Sequence, residues 1–236
     1  MAWNLKTRQY LSYSSLLGLT TLLVVVVYWL ACPQWVYFRR GERYFFAHHF
    51  NRAIPAYEDA VAAGLKRPKA LIHLGESYLA TSQFRKALLV FEQVVRTHPD
   101  NLGALNRLAG LYDQFGRVDE AIALLQRYRQ QPGAAEPVVL VRLADLYKRK
   151  QDFTAAEKLY RQALTQNSEP LSVQLKLAEV LSWEKKYDEA IKIYRQILAV
   201  HPENRTAQFN LARVLSWKGR KEEAVQQYRR LLGETP

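Results

Sequence analysis

Six alanines, Ala53, Ala87, Ala121, Ala156, Ala190 and Ala224, recur along the chain at intervals of 34, 34, 35, 34 and 34 residues. A period of that length restricts the chain to an array of one supersecondary unit, in which each copy buries its apolar face against the next. Arrays of this kind bind other molecules more often than they catalyse reactions.

Other residues keep the same beat. When each unit is numbered from its own start, as at 68, 102, 137, 171 and 205, the alanine falls at place 20. Leucine stands at place 7 (Leu74, Leu108, Leu143, Leu177, Leu211) and a small residue follows at place 8 (Gly75, Ala109, Ala144, Ala178, Ala212). Tyr78, Tyr112, Tyr147, Leu181 and Leu215 come three residues later, at place 11. Place 24 carries Tyr57, Phe91, Leu125, Tyr160, Tyr194 and Tyr228. Places 7, 8 and 11 share one face of a helix with 3.6 residues per turn, and places 20 and 24 are an i, i+4 pair on a second helix. The small residues let two helix backbones approach, and the aromatic fills the space beside them. Pro99, Pro202 and Pro236 close three units, and Gly116 and Gly219 fall at place 15, where the chain turns between helices.

These residues resemble the tetratricopeptide repeat (TPR) family, through the Leu-Ala pair, the alanine, the aromatic and the proline, as in Leu177-Ala178, Ala190, Tyr194 and Pro202. Five repeats read as 68–101, 102–136, 137–170, 171–204 and 205–236. A degenerate sixth spans 34–67, with Gly41, Tyr44, Ala53 and Tyr57 in place but Arg40 where leucine belongs. The resemblance implies an all-α fold, a right-handed TPR superhelix (α-solenoid) of antiparallel helix pairs with a concave face lined by first helices. Ahead of it the sequence predicts one N-terminal transmembrane helix.

That helix is read from residues 11–33, after a short basic tail at 1–10. No charge occurs between Leu11 and Cys32, and roughly 20 apolar residues span a bilayer's hydrocarbon core. Trp3, Tyr10 and Tyr13 on one side and Trp29, Trp35 and Tyr37 on the other suit the headgroup belts. The apolar run is longer than a cleaved signal requires, which favours a retained single-pass anchor over two alternatives. One is a lipoprotein signal, since Trp29-Leu30-Ala31-Cys32 has the outline of a lipobox. The other is a buried repeat helix, which the all-round hydrophobicity disfavours. Lys6 and Arg8 precede the segment, and Arg39, Arg40, Arg43 and Arg52 follow it, a balance that leans towards cytoplasmic repeats. Against it, Leu177 to Trp183 and Leu211 to Trp217 resemble repeats of bacterial exopolysaccharide-export proteins. That resemblance implies repeats on the periplasmic side of the bacterial inner membrane.

Hydrophobic residues at 49% and charged residues at 24% are the composition of a folded chain. Cys32 is the only cysteine, so no intrachain disulfide forms. The net charge is +12, of which the first 33 residues supply Lys6 and Arg8. The remainder suits other membrane or envelope proteins with acidic segments, or an anionic polymer or lipid. No motif for specific nucleic-acid binding accompanies it.

No catalytic constellation is expected and the chain is not read as an enzyme. It has no phosphate-cradling glycine loop, no HExxH and no nucleophile elbow. No metal site and no cofactor is predicted. His98 and His201 precede helix-ending prolines, and His48 and His49 lie at a turn. Asp119-Glu120, Asp188-Glu189 and Glu222-Glu223 recur before place 20, as first-turn acids that favour the helix dipole.

Three surfaces are expected to bind. The groove is placed at Arg107, Arg142, Lys176 and Asn210 (place 6), with Lys148, Arg149, Trp183 and Trp217 nearby. A basic ladder beside two tryptophans suits an acidic extended segment or a stacked sugar chain; the alternative is solvated cations and packed indoles. The carboxylate clamp of chaperone-binding members is absent, because place 5 holds Ile72, Asn106, Val141, Leu175 and Phe209 instead of lysine. Phe38, Tyr44, Phe45 and Phe46 form a second surface, expected at the membrane or another membrane protein, unless they pack on the next repeat. Val225, Tyr228 and Leu232 form the third, an uncapped C-terminal end that invites a partner or a homo-oligomer.

Overall fold

The place-20 alanines decide the packing. Ala53, Ala87, Ala121, Ala156 and Ala190 are fully buried, and Ala224 is nearly so. With no side chain beyond Cβ, each lets a neighbouring helix lie close. The computed structural model describes residues 32–131, 136–166 and 171–233, together with Thr20. Among these there are twelve helices and no strand.

The chain divides into two compact units, residues 1–104 and 105–236. The first holds α1 (Pro33–Phe46), α2 (Phe50–Ala62), α3 (Pro68–Ala80) and α4 (Phe84–Thr97). Each of these packs on the next, and α1 also touches α3. Next comes α5 (Leu102–Gln114), most of which belongs to the second unit. The rest of that unit is α6 (Val118–Arg129), α7 (Pro137–Arg149), α8 (Phe153–Gln166), α9 (Leu171–Trp183), α10 (Tyr187–Val200), α11 (Arg205–Trp217) and α12 (Lys221–Leu232). From α6 onward consecutive helices pack together, and α9 touches α11.

Each predicted repeat is therefore a helix pair, including the degenerate one at 34–67. Arg40 is exposed there, but Gly41 beside it is buried and carries the packing. A Cβ on Gly41 would lie 2.7 Å from the Tyr57 ring, and one on Gly75 would lie 2.8 Å from Phe91. Tyr57, Phe91, Leu125, Tyr160 and Tyr194 are all completely buried. Burying such a side chain contributes about 1.5–3 kcal/mol.

The turn inside each pair also repeats. His48, Ser82, Gly116, Gln151, Lys185 and Gly219 all have positive φ, between 57° and 86°. One left-handed residue ends the first helix and reverses the chain. Between repeats, Asn101 and Asn204 accept from the backbone N–H groups of Ala104 and Ala207, each at 2.9 Å, capping α5 and α11. The paired acids lie in the first turns of α6, α10 and α12, as their recurrence predicts.

The expected anchor at 11–33 lies outside the described residues except for Thr20, Cys32 and Pro33. Among the described residues no helix is long and apolar enough to cross a membrane. Pro33 occupies the first turn of α1, where its missing N–H costs nothing.

Candidate functional site

In the second unit the predicted groove cations lie on first helices, but most of them are already paired. Lys176 Nζ donates to Asp145 at 2.7 Å, Lys148 Nζ to Glu179 at 2.9 Å and Arg149 to Asp113 at 2.7 Å. The expected free basic ladder is thus corrected to a face of alternating charge. Asp145 also accepts from the Tyr160 hydroxyl at 2.6 Å. Burial first, then the bonded Asp145 carboxylate, drives the Tyr160 hydroxyl far above the ordinary phenol range.

Asp113 stands at place 12, but Asp145 and Glu179 come from place 9, which reads Glu42, Glu76, Gly110, Asp145, Glu179 and Arg213. Sequence reasoning missed this series, although an acid recurring three residues after a basic place was a visible signal. The same arrangement holds in the first unit. Glu42 accepts from Tyr57 at 2.7 Å, pairs with Lys69 at 2.6 Å and meets His73 Nδ1 at 2.5 Å. Burial alone would raise the Glu42 carboxyl, but hydrogen bonds from Lys69, Tyr57 and His73 hold it below the usual range.

Two positions break the series. Gly110 carries no acid, and a Cβ built on it would meet the Arg142 guanidinium at 3.7 Å. Arg142 is half-buried and has no hydrogen bond or ion pair with any described residue. Arg213 reverses the sign at place 9; its guanidinium lies 4.9 Å from the Trp217 ring centre and 5.8 Å from that of Phe209. Its Nε is buried without an acceptor among the described residues. Asn210 is half-buried between Phe209 and Leu211. The fourth place-6 residue, Arg107, is exposed on α5 and has a partner of its own.

A hollow of about 700 Å³ opens on this face, lined by residues that include Asp145, Lys148, Lys176, Phe153 and Trp183. Trp183 is 38% exposed and Trp217 46% exposed, so each indole keeps an open face. Trp183 leans on Phe153 with ring centres 5.1 Å apart, and the Lys148 ammonium stands 5.8 Å from it. The arrangement offers an aromatic platform beside charges of both signs, and among the described residues no three His, Cys, Asp or Glu side chains converge as a metal set.

The second predicted surface needs correction. Phe38 is buried, tilted against Tyr57 at 6.2 Å, because α2 covers the face on which it lies. Phe45 stacks flat on His73 of α3 at 4.2 Å, so it packs on the next repeat. Tyr44 is half-buried with Arg40 and Arg43 over its ring, and Phe46 alone of the four is well exposed. At the third surface, Val225 and Leu232 are exposed, while Tyr228 is half-buried with its ring 6.1 Å from Phe209.

Sequence models of the tetratricopeptide repeat match residues 38–83, 74–135, 139–174 and 184–236, which together make up most of the chain. The chain belongs to the tetratricopeptide repeat family. Superkiller complex protein 3 is 29% identical over 93 residues in Mus musculus and 27% identical over the same length in Homo sapiens. Those residues are 39% of this chain but only 6% of either relative. Among solved structures, a tetratricopeptide repeat protein from Parabacteroides merdae ATCC 43184 superposes with a TM-score of 0.73 at 17% identity, covering 86% of this chain and 80% of that one. A MamA protein gives a TM-score of 0.63 at 20% identity, covering 71% and 91%. YrrB, described as a TPR protein with an unusual peptide-binding site, gives 0.62 at 14% identity, covering 77% and 93%. At these identities the likeness is one of fold.

Proposed function

We propose that this chain is a membrane-anchored protein-interaction scaffold in a bacterial envelope assembly, one that makes or exports exopolysaccharide. Binding alone is its mechanism. The observation that carries the binding is the first-helix face of the second unit, with Trp183 exposed over a hollow of about 700 Å³ among charges of both signs. The peptide-binding site of YrrB belongs to a protein of the same fold and supports a peptide as the class of ligand. The uncharged stretch from Leu11 to Cys32 supports the anchor. The likeness of the last two repeats to those of exopolysaccharide-export proteins supports the pathway and a periplasmic address. Tethering raises effective concentration, so modest affinities suffice.

A photo-crosslinking residue at Trp183 or Trp217 of the full chain, in cells, is expected to trap a discrete protein adduct. One at Val200, which is 73% exposed on second helix α10, is expected to trap none. Equal trapping at all three positions would defeat the reading. A reporter fused after Pro236 is expected to be active only in the periplasm.

The charge balance around the anchor favours a second reading, an assembly or quality-control factor facing the cytoplasm and using its basic surface. A reporter active only in the cytoplasm would select it. Lipid attached to Cys32 would instead identify a periplasmic lipoprotein adaptor.

A further inference from the structure

The geometry points to Arg142 as the residue that selects the partner: it takes a carboxylate from an acidic, extended peptide segment, which supplies the acid that Gly110 lacks. This rests on the scaffold reading above and names the chemistry that its groove recognises.

At Gly110 a pattern of pairing between repeats is interrupted. Two place-9 acids are bound by the next repeat's place-6 side chain, Glu42 by His73 at 2.5 Å and Asp145 by Lys176 at 2.7 Å; Glu179, whose place-6 neighbour is the uncharged Asn210, takes Lys148 instead. Arg142 occupies place 6 opposite Gly110, so its guanidinium has the setting of the other pairs without their anion. A half-buried guanidinium has lost part of its hydration, and a planar fork of donors is matched by a carboxylate. Nothing but the guanidinium comes within 4 Å of the missing Cβ, so an incoming side chain has room. On the same helix Asp145 is occupied by Tyr160 and Lys176 and does not compete. The neighbouring hollow, with Trp183 at its wall, then accepts an apolar residue of the same segment.

The test supplies the missing acid from within. In Gly110→Glu the new carboxylate reaches Arg142 and occupies it. Replacing glycine in a helix interior also stabilises, raising the melting temperature by about 2–4 °C. The full chain in mild detergent is titrated with a fluorescein-labelled dodecapeptide of alternating Glu and Leu, and with its Gln and Leu counterpart. The expected result is that the Glu peptide binds at least about tenfold tighter than the Gln peptide. Gly110→Glu and Arg142→Gln should each erase that preference, and Lys186→Gln, on the second-helix side, should leave it intact.

A Gly110→Glu protein with a raised melting temperature and undiminished preference would overturn the assignment, as would equal binding of the two peptides or no binding of the Glu peptide. Polygalacturonate bound through Arg142 in place of the peptide would overturn it in favour of a polysaccharide. Trapping at Trp183 but not Val200 would still support the scaffold reading in each of these cases, so the two proposals fail separately.

Discussion

Two tyrosines in one unit occupy the same repeat place and have different fates. Tyr160 and Tyr194 are both completely buried, but only Tyr160 has an acceptor, the Asp145 carboxylate at 2.6 Å. The Tyr194 hydroxyl is buried without a hydrogen-bond partner among the described residues, and the place-9 acid Glu179 receives Lys148. Burial, with smaller electrostatic contributions, pushes Tyr194 up to about 12. Removing a hydroxyl bonded to a charge costs about 1.5–3 kcal/mol, whereas removing an orphan is neutral or stabilising. Urea denaturation should therefore show Tyr160→Phe losing stability and Tyr194→Phe keeping or gaining it. Glycines divide in the same way. Gly75→Ala should cost about 1–3 kcal/mol, because its Cβ would press on the Phe91 ring at 2.8 Å. Gly103→Ala, whose nearest neighbour is 3.5 Å away, should gain up to about 1 kcal/mol of helix propensity. The sequence marked the place of Gly75 as small and gave Gly103 no role. It did not tell a glycine under a ring from a glycine facing solvent, because that difference lies on another helix.

At the scale of the element, the helix pair is held by its turn and by contacts to the next pair. Four of the six left-handed turn residues are not glycine: His48, Ser82, Gln151 and Lys185, with φ from 57° to 63°. A Cβ in that conformation is strained, by about 1–2 kcal/mol in a helix-like setting, partly offset by the entropy a glycine loses on folding. Ser82→Gly and Lys185→Gly should each raise stability by up to about 1 kcal/mol in thermal melts, and Gly116→Val should lower it. Between pairs, the first-turn acids of second helices take part in a repeated set of ion pairs. Lys150 meets Asp119 at 2.5 Å, Arg161 meets Glu189 at 2.6 Å and Arg195 meets Glu223 at 2.9 Å; Lys218 also contacts Asp188. These pairs are exposed and contribute little energy each. The first-turn acids were legible as helix-dipole residues. Their second role, as partners for a cation about 30 residues away, ahead of Asp119 and Asp188 and behind Glu189 and Glu223, was not, since it depends on how far one repeat advances over the next.

For the molecule as a whole, ionisation bounds the range of stability. The folded state holds the Glu42 carboxyl below its ordinary value, so its contribution is complete above about pH 4.5 and is lost as pH falls. Tyr57, Tyr78 and Tyr160 are raised above the ordinary phenol value, chiefly by burial, so their contribution is complete below about pH 10 and is lost as pH climbs. A pH series of melting temperatures should show a plateau from about pH 5 to about pH 9 with a fall on either side. A midpoint still rising as pH drops from 5 to 3 would contradict it. The net charge of +12 steepens the acid limb, because protonating carboxylates adds to self-repulsion. What could be read from residues alone was whatever repeats locally: the helix pairs, the buried alanines and aromatics, the glycine turns and the first-turn acids. Each follows from helix geometry within some 30 residues, so spacing suffices. The site was a different matter. Arg107, Arg142, Lys176 and Asn210 look alike as one repeat place, yet Lys176 is paired, Arg107 has a partner elsewhere, and Arg142 faces an empty position. Phe38 and Phe46 look alike as aromatics, yet one is core and the other surface. Those distinctions arise where one helix meets the next, because a charge is free or satisfied only with respect to the neighbour that folding brings beside it.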